Sequence, residues 1–191
     1  KNLSFKIADA ENQFFTKSGR LFITGGRNIY EVKRDLSHKI VRSGPLFEGT
    51  CYSTGIVEYG NFLYATCTSI KKPRLGELIK QKRCRLRDGS LLKCLKKKFS
   101  HSYLLAAELN ERPKFEVISK LNSILFPNGL TTDKLGNLFS ADSISKAIFK
   151  IKLSPFDPFK VESIKSWYKE NLIYPNGLKI KNNSLYIKYF I

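Results

Sequence analysis

The eighteen residues FPNGLTTDKLGNLFSADS, positions 126–143, hold two short apolar runs joined by Lys134-Leu135-Gly136-Asn137. Apolar runs of that length around a Gly-containing turn read as a β-hairpin, because Gly accepts the positive φ that tight connections need. The opening returns 48 residues later as Tyr174-Pro175-Asn176-Gly177-Leu178, followed by Asn182-Asn183 and a second apolar run. Upstream, Ser53-Thr54-Gly55-Ile56 and the turn Tyr59-Gly60 take the same places. The second strand of the unit is then SGRLFIT (18–24), YGNFLYAT (59–66), LGNLFSAD (135–142) and NNSLYIKY (182–189).

Anchored on Leu21, Leu63, Leu138 and Leu185, the steps between units are 42, 75 and 47 residues. Taking about 28 residues out of the long step brings it near 47, and a period of roughly 40–50 residues is that of four-stranded propeller blades. Third strands are expected at SYLLAAEL (102–109) and AIFKIKL (147–153), and turns near Gly19, Gly60, Gly136 and Asn183. No segment carries a sustained 3.6-residue apolar period. The expected fold is an all-β propeller of four-stranded antiparallel blades. About three and a half blades fit in residues 1–191, read as a single partial propeller domain.

Composition agrees with a packed domain. The chain has 191 residues, of which 42% are hydrophobic and 13% aromatic, enough to bury a core. No run approaches the roughly 20 apolar residues of a membrane-spanning helix, and the first residues lack a signal-peptide core. Net charge is +18, from 34 Lys and Arg against 16 Asp and Glu. It is concentrated: residues 71–98 hold twelve basic residues against Glu77 and Asp88, a net of +10. This basic insertion interleaves Leu and Ile with Lys and Arg, which suits an anionic surface or a lid over a channel. Nucleic acid is an unlikely partner, since the aromatic interleaving of single-strand platforms is missing.

Four cysteines (Cys51, Cys67, Cys84, Cys94) have no CxxC spacing and only two histidines beside them, which excludes the common zinc patterns. Cys51 and Cys67 fall nearly opposite across the Tyr59-Gly60 turn, and Cys84 and Cys94 across Asp88-Gly89. Two cross-strand disulfides or four thiols both fit, since a one-residue register change separates each pair. The disulfide alternative points to an extracytoplasmic location.

The motifs CYSTGIVEYGNFLYATCT (51–68), FPNGLTTDKLGNLFSADS and YPNGLKIKNNSLYI (174–187), with Glu11 ahead of the first hairpin, resemble the regucalcin and gluconolactonase family. That family, senescence marker protein-like, is one of six-bladed propellers, with strictosidine synthase and the paraoxonase-type esterases as relatives. The resemblance covers most of the chain. It implies a divalent ion, usually calcium, in the central channel, held here by Glu11, Asn128 and Asn176. Hard oxygen donors of this kind suit calcium. The implied activity is hydrolysis of a lactone or ester by a calcium-dependent enzyme, with Asp142 as a candidate carboxylate near the reaction. The alternative is a non-catalytic binding propeller whose basic insertion contacts a partner.

Three departures from the family bear on catalysis. Ser53-Thr54 stands where lactonase relatives carry Asn-Asp. Asn176 stands where many carry an Asp, and an amide cannot accept a proton at neutral pH. Six blades at this period need about 270–300 residues, and Ile191 falls inside the fourth blade. For Asn128 and Asn176 the competing account is turn chemistry, with Asn in the left-handed region; for Glu11 it is an exposed strand-end charge. His38 and His101 lie outside the motifs and are expected on strands or the surface.

Overall fold

Alternating apolar residues closed by Gly or Asn turns produce fourteen strands among the described residues and no helix. A computed structural model describes residues 7, 9–33, 35, 37–42, 50–70, 99–169 and 174–189. The first sheet is β1 (Ala10–Phe15), β2 (Leu21–Gly25), β3 (Asn28–Val32) and β4 (His38–Arg42). The second is β5 (Thr50–Tyr59), β6 (Phe62–Ile70), β7 (Phe99–Glu108) and β8 (Glu116–Lys120). The third is β9 (Pro127–Thr132), β10 (Asn137–Asp142), β11 (Ala147–Leu153) and β12 (Val161–Tyr168), and β13 (Pro175–Lys181) pairs with β14 (Ser184–Tyr189). Within every sheet, strands neighbour one another in chain order and pair antiparallel. These are propeller blades.

The turns fall where the residue types place them. Gly19, Gly60 and Gly136 have φ of 79°, 60° and 82°, and Asn182 and Asn183 take 51° and 60° in the fourth hairpin. Residues 71–98 with Cys84 and Cys94, the proposed partner-contacting insertion, lie outside the described residues. The strands on either side of that segment are direct neighbours, with Ile70 opposite Phe99.

Period-2 alternation gives the blades apolar faces, and the core lies between blades. Phe22 and Ile29 of the first blade pack with Ile56, Leu63, Ala65 and Leu105 of the second. Val57, Tyr64 and Leu104 pack with Leu130, Leu138, Phe149 and Ile151 of the third. Phe139, Ala141 and Ile148 meet Leu178, Ile180, Leu185 and Ile187. Tyr64 is buried to its hydroxyl, which donates to Pro158 O at 3.0 Å. Desolvation, with Tyr59 and Asp157 adding to it, pushes that phenol up to about 12.

Cys51 and Cys67 form a disulfide, with Cα atoms 5.5 Å apart and both residues fully buried. They are diagonal neighbours: Cys51 lies opposite Ser69, and Ser53 opposite Cys67. The twist of the β5–β6 ribbon closes that diagonal.

Candidate functional site at the inner-strand bulges

The first strand of each unit is the innermost, and each carries a one-residue irregularity at the same register. Counted from the anchor leucine, the residue three positions on is Thr24, Thr66, Ala141 or Lys188. Each of these opposes two residues of the inner strand: Glu11-Asn12, Thr54-Gly55, Asn128-Gly129 and Asn176-Gly177. Glu11, Thr54, Asn128 and Asn176 are therefore equivalent positions in four successive blades. A bulge unpairs one residue and re-aims its side chain, which is why bulges recur beside functional sites.

This overturns the turn account of Asn128 and Asn176. Neither residue, nor the Gly after it, has a positive φ. Both Asn-Gly pairs sit inside strands. Gly129, and Gly55 at the equivalent place, serve close approach instead. A Cβ on Gly55 would come within 2.5 Å of Leu130 Cβ and 2.8 Å of Asn128 O. One on Gly129 would strike Asn176 O and come within 2.7 Å of Leu178 N. Consecutive inner strands pass almost backbone to backbone, so the bulge positions of the second, third and fourth blades follow one another closely.

Each of the four positions has its own electrostatic setting. Glu11 keeps surface open to solvent, yet nearby protein atoms desolvate its carboxyl, and Asp9 adds repulsion; together they raise its pKa above the ordinary glutamate value. Asn128 is buried, and its Nδ2 donates to Ser143 Oγ at 3.4 Å. Tethered by its nitrogen, the amide turns Oδ1 away from Ser143. Asn176 is half-buried. Thr54, at 2% exposure, donates its hydroxyl to Pro127 O at 2.6 Å and lies 3.0 Å from Thr66 Oγ1.

Asp142 has a different task. It is fully buried, and its carboxylate accepts four backbone N–H groups, from Leu125 (2.7 Å), Phe126 (3.1 Å), Ile144 (3.0 Å) and Ser145 (3.2 Å). With its lone pairs used in this way, it closes the entry loop of the third blade against the turn that follows β10. His38 and His101 lie on β4 and β7, both exposed.

Among the described residues no three His, Cys, Asp or Glu side chains come together. A cation at the bulges would therefore rest on one carboxylate with amide and backbone oxygens. Such a donor set fits a hard divalent ion, and a desolvated carboxyl beside a second acid is a place where positive charge relieves repulsion.

A groove of about 860 Å³ opens at the opposite end of the inner strands, among the hairpin turns. Lys17, Tyr59, Asp133, Leu135, Trp167 and Asn183 contribute to its walls. Nothing in the periodicity of the sequence marked it, because Trp167 reaches it from the outermost strand of its blade.

No family model matches the chain. No curated protein sequence matches it either. Among solved structures it is similar to a putative oxidoreductase (glucose dehydrogenase) of Thermus thermophilus, with a TM-score of 0.55 and 12% identity over 95% of this chain and 57% of that one. It is also similar to a protein of unknown function from Bacteroides caccae, with a TM-score of 0.50 and 12% identity over 91% of this chain and 50% of that one. At such identity the likeness is one of fold, and the fold is the propeller. The chain spans about half the length of these structures.

Proposed function

We propose that this chain is part of a cation-binding propeller of the regucalcin and gluconolactonase type, with Glu11, Asn128 and Asn176 as oxygen donors. One observation carries the reading: the three residues occupy the same bulge position of their blades, although 117 and 48 residues separate them in sequence. Side chains repeated at one level of successive inner strands are suited to meet on a central axis. The expected ion is calcium, or another divalent metal of similar preference.

The proposed reaction is hydrolysis of a lactone or ester, in which water adds to the carbonyl carbon and the acyl C–O bond breaks. A bound divalent ion supplies polarisation of the carbonyl oxygen. Glu11 contributes the single negative charge of the donor set, and the two amides bind and orient without taking a proton. Thr54 and Asp142 are committed to backbone partners, so neither serves as the base. That commitment favours the second reading, a propeller that binds a cation and a partner without hydrolysis. The fully buried Cys51–Cys67 disulfide supports an extracytoplasmic location for either.

Calcium titration by calorimetry, with melting curves in calcium and in chelator, tests the binding step. Calcium should raise the melting temperature through mass action, and Glu11→Gln or Asn128→Ala should abolish the rise. Assays with a δ-lactone and an aryl ester, in calcium and in chelator, then separate the readings. Chelator-sensitive hydrolysis lost in Glu11→Gln supports the enzyme; calcium binding without turnover supports the binding propeller. No thermal or calorimetric response to calcium overturns both.

A further inference from the structure

Two hydroxyl groups outside the proposed donor set are placed alike. Thr54 of the second blade donates to Pro127 O at 2.6 Å, and Ser143 of the third blade donates to Pro175 O at 2.6 Å. In each case the acceptor is the carbonyl of the proline immediately before a bulge asparagine, Asn128 or Asn176. Proline has no N–H, so its carbonyl is the only backbone polar group by which it can be held. Both prolines are buried, and the register shift breaks the ladder beside each. A hydroxyl from the preceding blade fixes the backbone at the place where regular strand pairing lapses.

Counting one proton per hydroxyl gives these contacts a direction. The Thr54 proton goes to Pro127 O at 2.6 Å, the shorter of its two carbonyl contacts (Thr66 O lies at 3.3 Å). Thr66 therefore donates to Thr54 across their 3.0 Å contact, while Gly55 N donates to Thr66 Oγ1 at 3.0 Å. One residue on, Asn128 Nδ2 donates to Ser143 Oγ, and Ser143 passes its own proton to Pro175 O. Ser143 thereby touches both asparagine-bearing segments: the amide of one and the backbone beside the other. Its contact also sets which prong of the Asn128 amide is left for a cation.

We infer that Thr54 and Ser143 are positioning residues for the proposed cation site, which fix Asn128 and Asn176 relative to each other across two blade seams. The inference rests on the cation reading above. It also gives Thr54 a role at the place where lactonase relatives carry an acid: the hydroxyl couples blades instead of contributing charge. Hydrogen-bond partners of metal ligands typically change metal affinity about 10–100-fold when removed.

The test is calcium affinity, by calorimetry with calcium chloride, for the wild-type chain, Ser143→Ala and Ser143→Thr, with Thr54→Val and Thr54→Ser as a second pair. Melting curves in chelator identify any variant that does not fold. Ser143→Ala should weaken calcium binding about tenfold or more, and Ser143→Thr, which keeps the hydroxyl, should restore it. If the wild-type chain binds calcium and Ser143→Ala binds it equally well, the positioning role is overturned while the cation site stands. Equal weakening in Ser143→Ala and Ser143→Thr would reduce Ser143 to a packing residue and overturn the inference too. Absence of calcium binding in the wild-type chain would remove the site itself, and the inference with it. Because Ser143 is only part-buried, its pair decides the matter even if Thr54→Val fails to fold.

Discussion

Gly129 and Glu31 illustrate how much a single residue's surroundings settle. Gly129 has ordinary backbone angles, so its need for glycine comes only from Asn176 O and Leu178 N of the next inner strand. Because those neighbours are backbone, they cannot swing aside. Gly129→Ala should cost about 2 kcal/mol or more, measured by denaturant unfolding. Gly177→Ala meets only the Lys188 side chain, at 3.4 Å, and should cost no more than about 1 kcal/mol. Glu31 is a buried acid with partners: Arg20 Nε at 2.7 Å and Lys39 Nζ at 2.8 Å. Desolvation pushes its pKa up, but the hydrogen bonds and charges of Arg20 and Lys39 outweigh that and hold it below the ordinary glutamate value. A depressed carboxyl pKa stabilises the fold above the unfolded-state value, and the contribution is lost as pH falls through the folded-state value. The wild-type melting temperature should therefore fall from pH 6 to pH 3 more steeply than that of Glu31→Gln. Parallel profiles would remove Glu31 from the acid response.

At the scale of strands and hairpins, the bulge is the recurring device. It falls at one register in the inner hairpin of all four described units, and in three of them it lets Gly lie in a strand interior, where it otherwise weakens the ladder. The partners of Glu31 also tie elements together: Arg20 donates to Asn110 O and Lys39 to Glu111 O, both at 2.8 Å. These contacts fasten the first blade to the loop between β7 and β8. In the second blade, the Cys51–Cys67 bridge spans 16 residues of sequence across the long β5–β6 hairpin. Replacing both cysteines by Ala should lower stability by about 2–4 kcal/mol. An unchanged unfolding midpoint under reducing conditions would contradict a stabilising bridge.

For the whole molecule, the seams between blades carry the stability. The residue after each anchor leucine is aromatic: Phe22, Tyr64, Phe139 and Tyr186. The first three are 0%, 1% and 6% exposed, each against the following blade, while Tyr186 is 58% exposed on the far face of β13–β14. Phe22→Ala and Phe139→Ala should each cost about 3–5 kcal/mol. Unfolding curves of the two variants check this directly.

Strand order, hairpin positions, blade period and the all-β class were legible in the sequence because they depend on local terms. Alternation, β-propensity and the φ demanded at Gly19, Gly60, Gly136 and Asn183 act within a few residues of each position. The anchor leucines and the repeated Pro-Asn-Gly-Leu exposed the repeat for the same reason. The meaning of Asn-Gly was not local. The pair reads as a turn by its chemistry; pairing with the second strand of its hairpin makes it a bulge, and at Gly129 the next inner strand passes too close for a Cβ. The task of Asp142 was equally hidden: four N–H groups converge on it from positions up to 17 residues away in the chain. The hydroxyls of Thr54 and Ser143 resemble the other Ser and Thr hydroxyls of the motifs, and nothing in their spacing names a proline carbonyl as partner. Tertiary structure decided these points, because each depends on distances between segments that are apart in the chain, which period and propensity do not encode.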